Sequence, residues 1–179
     1  MTISVFGIVS VTAPYAMMQF TAAIGLETLS GDYAYQEYER SGDMDCLARS
    51  FLIAVQHKKY RTAEERFEIL CKEDRFDEYC DGVEAPDVLG GYSYRDFLFG
   101  RAAIVKYHLK REDALSFAVD KTDASFPAGN PVTALAVEAA SEKDADFCAA
   151  LLEALEGGGF AQNDRYLSLV AILEGVINS

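Results

Sequence analysis

The residues of this chain that could do chemistry are its two histidines, four cysteines and 29 carboxylic acids, and each set has spacing rules to satisfy. A di-iron carboxylate bundle places a glutamate three residues before each ligand histidine; ahead of His57 and His108 those positions hold Ala54 and Val105. There is no HExxH string, and neither Asp43 with Asp45 nor Asp144 with Asp146 continues into a calcium loop. Cys46, Cys71, Cys80 and Cys148 include no CxxC pair, so they read as small buried hydrophobes of a reducing compartment. A nucleophile elbow requires Gly-x-Ser-x-Gly, and the string around Ser93 ends in Arg95. The run Gly157 to Gly159 lacks the Lys and Ser or Thr of a phosphate loop and reads as a helix stop. The expectation is a protein with no metal, no cofactor and no assignable catalytic residue, because acid pairs are abundant and none is marked by a motif.

What the acids offer instead is a surface. Against 29 Asp and Glu stand 16 Lys and Arg, for a net charge of −13. Such a chain repels phosphate backbones and anionic lipid, which argues against nucleic acid and membrane as partners. The densest acidic run spans Glu73 to Asp87 and contains Arg75 as its one cation. Within it Asp77, Glu78, Asp81, Glu84 and Asp87, interspersed with Val83, Val88 and Leu89, form the candidate protein-binding site. Charge mixed with apolar anchors is the composition of a binding loop. The run is expected to begin at a helix C-terminus, where acids oppose the dipole. Such a conflict between local preference and sequence points toward function. Two basic islands, residues 46–63 and 95–111, are densest at predicted helix ends and could pair with this run. His57 and His108 also fall near predicted helix ends.

The elements that carry these residues read as helical throughout. Residues 3–11 are rich in β-branched types and suggest a strand or extended arm within 1–13, after which Pro14 suits a first helical turn. A first helix over 14–29 is expected to break at Ser30-Gly31-Asp32, and a Tyr-rich one at Ser41-Gly42-Asp43. Residues 43–57 place Met44, Leu47, Ala48, Phe51 and Val55 on one stripe. Thr62 and Glu65 suggest a capping box for a helix reaching Cys80, with Ala63, Phe67, Leu70 and Cys71 on one face. After a loop over 81–92, Ser93 with Asp96 starts a helix through Leu109, and a short one follows from Glu112 to Val119. A second loop over 120–131 ends in Pro131; Ser141 with Asp144 restarts a helix that stops at Gly157, and Asn163 or Asp164 caps the last. The fold class is therefore all-α: a single-domain bundle or array of eight or nine short helices over 1–179. The first 26 residues carry no charge, yet Pro14 and the absence of flanking Lys or Arg favour a buried segment over a signal or anchor.

Through Thr133, Ala134, Leu135 and Ala136, then Leu151, Leu152, Glu153, Ala154 and the closing glycines, residues 129–159 resemble an ankyrin unit. Residues 43–76 are similar to a tetratricopeptide unit through Ala63 and Phe67. Neither pattern recurs in the sequence, and a stable solenoid needs at least three units. The functional expectation is a non-enzymatic, cytoplasmic, acidic helical protein that binds a basic protein, in the manner of an immunity protein or inhibitor. One alternative is a scaffold or homo-oligomer packed through the uncharged N-terminal segment. Another is an enzyme or small-molecule binder with a cleft between helices.

Overall fold

The computed structural model describes residues 14–23, 25–83 and 93–179, which form ten helices and no strand. Residues 1–13, read from sequence as an arm or strand, lie outside the described residues. The chain divides into two compact units, Met1–Phe76 and Asp77–Ser179. No helix among the described residues is long and apolar enough to cross a membrane.

The first unit contains α1 (Pro14–Ala23), α2 (Glu27–Ser41), α3 (Met44–Gln56) and α4 (Tyr60–Lys72). The break after α1 comes at Gly25, whose φ of 78° suits a residue without Cβ, and not at Ser30-Gly31-Asp32, which lies inside α2. There the two small residues serve packing. The Ser30 hydroxyl donates to the Met18 carbonyl at 3.0 Å, and a Cβ on Gly31 would stand 2.8 Å from Ile53 Cγ2. The same tripeptide at Ser41-Gly42-Asp43 does punctuate the chain. Gly42 caps α2 at φ 71°, and the Asp43 carboxylate accepts from the Asp45 amide at 2.9 Å to start α3.

Helix α3 buries Met44, Leu47, Ala48 and Phe51 as the stripe requires, with Ala54 buried and Val55 only partly so. Helix α4 starts at Tyr60, before Thr62, and has no side-chain cap, so the Thr62 capping box is not formed. Its Ala63, Phe67 and Leu70 are buried, and Phe67 meets Phe51 at 5.2 Å between ring centroids. Cys71 is exposed instead of lining that face. The helix ends at Lys72 with Glu73 as its C-cap, and a new helix, α5 (Phe76–Gly82), follows across the boundary of the units. The single helix expected to reach Cys80 is thus two.

The second unit continues with α6 (Tyr94–His108), α7 (Ala114–Asp120), α8 (Pro131–Ser141), α9 (Ala145–Gly157) and α10 (Asp164–Ile177). Ser93 caps α6 by accepting from the Asp96 amide at 3.0 Å. Asp144 caps α9 from the Phe147 amide at 3.2 Å and accepts the Tyr107 hydroxyl at 2.8 Å, tying α6 to α9. Ser141 ends α8 and does not begin α9. Asn130 and Asn163 cap α8 and α10. Both reach the loop that precedes α8: the Asn130 amide donates to the Pro127 carbonyl at 2.9 Å, and that of Asn163 to Ser125 and Phe126 at 3.0 and 3.2 Å.

Between those caps Phe126 is fully buried at φ 53°, an unfavourable region for a bulky residue. Edge-on contacts with Phe160 and Tyr166, at 5.4 and 5.5 Å, and the Asn163 bonds hold it there. Helices α6 and α8 touch with only the Ala134 methyl between them, since a Cβ on Gly100 would stand 2.9 Å from Ala134 Cβ. Gly100→Ala improves helix propensity by about 1 kcal/mol, but overpacking costs about 1–3 kcal/mol. A net loss of up to about 2 kcal/mol in urea unfolding is expected, with Ala134→Gly recovering most of it in the double variant.

Candidate functional site

Helix α5 sorts its residues by side. Phe76 and Cys80 are buried one turn apart, while Asp77, Glu78 and Asp81 are exposed. Because the chain breaks at Glu73, Asp77 and Glu78 fall in the first turn of α5. Acids there favour the helix dipole. The expected conflict between acids and a helix C-terminus does not arise at these two positions. Glu84 and Asp87, the other members of the candidate site, lie outside the described residues.

The described part of the site is tied to α6 by one cation. Arg95 Nη2 lies 3.2 Å from both Asp77 Oδ1 and Asp81 Oδ1 and donates to the Asp77 carbonyl at 3.3 Å. Tyr79 meets Tyr94 edge-on at 5.8 Å, holding the same two elements together. The two aspartates still expose 78 % and 77 % of their side chains, so a partner's cation could approach both. The second basic island is partly absorbed within this unit: Lys106 pairs with Asp113 at 2.6 Å, and Lys110 lies 4.8 Å above the Tyr107 ring.

Three of the thiols, Cys46, Cys80 and Cys148, are held in the protonated, less nucleophilic form. Burial, the largest cause, pushes both Cys46 and Cys80 up to about 11, and raises Cys148 in the same direction. Nearby carboxylates add to this at all three, and at Cys80 burial outweighs the opposing pull of Arg95; a reactive thiol needs an electropositive setting that is not so offset.

Two features were not legible in the sequence. One is a groove of about 390 Å³ between α8 and α10, lined by Pro127, Thr133, Val137, Arg165, Ser168 and Ile172 among others. Val137 and Ile172 are 52 % and 46 % exposed at its edge; spacing marks them apolar but not which side of each helix stays uncovered. The other is a cluster of His108, Glu138 and Glu142, whose ligand atoms lie within 4.8 Å of one another. Its members come from two helices 30 residues apart, so no local motif announces it.

The bridged geometry sets a limit on what Arg95 contributes. Arg95→Ala is expected to cost less than about 1 kcal/mol in urea unfolding, as for other exposed ion pairs. The loss should shrink in 1 M salt, where charges are screened beyond about 3 Å; a large, salt-independent loss would mean that Arg95 serves chiefly as packing. No protein-family model, curated protein or solved structure matches the chain, so its functional reading rests on this geometry.

Proposed function

We propose that this chain is a non-enzymatic, acidic helical protein that recognises a basic protein through the outer face of α5 and the residues that follow it. The observation that carries the reading is the exposure of Asp77, Glu78 and Asp81 on one short helix, with Arg95 bridging two of them. Complementary charge accelerates encounter and rejects wrong partners. The net charge of −13 extends that field over the whole molecule. The partner is a protein with a Lys- and Arg-rich face, which is the chemistry an inhibitor or immunity protein would neutralise. Affinity capture from the native cell, comparing the wild type with a variant carrying Lys at 77, 78, 81 and 84, tests it. The expected result is a basic protein retained by the wild type and lost by the variant, with an association rate at least about tenfold slower. Retention of every captured partner by a folded variant would remove the reading.

The groove between α8 and α10 supports a second reading, binding of a small apolar ligand. Its size falls within the range of about 300–1,000 Å³ typical of ligand sites. Val137→Glu places a charge at its edge and should abolish binding of an apolar fluorescent dye; unchanged dye binding would dismiss the groove as a ligand site.

A further inference from the structure

We infer that His108, Glu138 and Glu142 form a site for a divalent transition metal, with Zn²⁺ the best-matched ion. Imidazole suits Zn²⁺ better than the hard cations that prefer oxygen alone, and three protein ligands leave a position for water. The site is independent of the acidic face on α5 and shares no residue with it.

The backbone brings the three groups together. Gly100 lets α6 lie directly against α8 near Ala134, and eight residues further along α6 its last residue, His108, reaches Glu138 one turn beyond Ala134. Glu138 and Glu142 are four residues apart and therefore project from the same side of α8. Glu138 lies in the last turn of α8 and Glu142 is its C-cap. Like charges at this spacing repel, and acids at a helix C-terminus oppose its dipole. A bound cation relieves both conflicts. A lone ion pair between His108 and Glu138 would account for the contact between them, but it leaves the position of Glu142 unexplained.

The distances allow an ion after small side-chain movements. Metal–nitrogen and metal–oxygen bonds of about 2.0–2.2 Å in a tetrahedral site put neighbouring ligand atoms about 3.3–3.5 Å apart. His108 Nε2 and Glu138 Oε1 stand 2.6 Å apart, so they must separate by about 0.7–0.9 Å as the ion replaces their hydrogen bond. The widest separation in the cluster, up to 4.8 Å, must contract. Glu142 is exposed and Glu138 half-buried, so carboxylate rotation supplies that movement without shifting a helix.

The test is isothermal titration of chelator-treated protein with ZnCl₂, and with MgCl₂ as control, in a Cys71→Ser background that removes the exposed thiol. One Zn²⁺ per chain with micromolar affinity and no Mg²⁺ binding is expected. Both His108→Ala and Glu142→Gln should weaken Zn²⁺ at least tenfold. Glu142→Gln is decisive, because its exposed side chain can change without disturbing packing and circular dichroism verifies the fold. Saturation with Zn²⁺ should also raise Tm in the background protein and not in Glu142→Gln. Absence of saturable Zn²⁺ binding, equal binding of Mg²⁺, or undiminished Zn²⁺ binding by Glu142→Gln would each overturn the site.

Discussion

Each unit has a helix-to-helix contact so close that only glycine fits on one side of it. In the first unit Gly31 of α2 faces Ile53 of α3; in the second Gly100 of α6 faces Ala134 of α8. Glycine inside a helix costs about 1 kcal/mol relative to alanine, so its presence at both places needs a reason, and the reason is distance. Close approach fixes the position of what lies further along each helix. On α6 that includes Tyr107, bonded to Asp144 at the start of α9, and His108, beside Glu138. The loop bearing Phe126 then seals the core of the second unit, with Asn163 holding its carbonyls from outside.

The distribution of charge follows from where helices stop. An uninterrupted helix to Cys80 would set the acidic run against a dipole; the break after Lys72 turns Asp77 and Glu78 into favourable first-turn residues. Glu138 and Glu142 are the reverse case. Nothing in their local sequence looks strained, but α8 ends at Ser141, and both fall at its unfavourable end. Electrostatic fit is thus a property of boundaries, and boundaries moved by three or four residues exchange an ordinary surface for a conspicuous one.

Much of the fold was readable because its signals are local. Ser93 and Asn163 cap helices, as their residue types and neighbours indicated, and Pro131 occupies a first turn; at α9 the cap is Asp144, three residues after the Ser141 start that the Ser-x-x-Asp spacing suggests. The buried stripe on α3 follows from its spacing. Errors arose where one residue type serves two purposes: Ser30-Gly31 reads as a stop and is a packing surface, and Thr62-Glu65 reads as a cap inside a helix that began earlier. Cys71 shows the same limit, since being apolar did not place it in the core.

The all-helical class, most caps and the large excess of acid were decided by composition and by interactions spanning a few residues. The break at Glu73, the pairing of Arg95 with Asp77 and Asp81, the groove beside Val137 and the convergence of His108 with Glu138 and Glu142 were decided by packing. The physical difference is range. Caps and amphipathic stripes act within a turn or two and leave a trace in the order of residues, whereas these contacts depend on how closely and in what register helices meet, which no short stretch of the chain records.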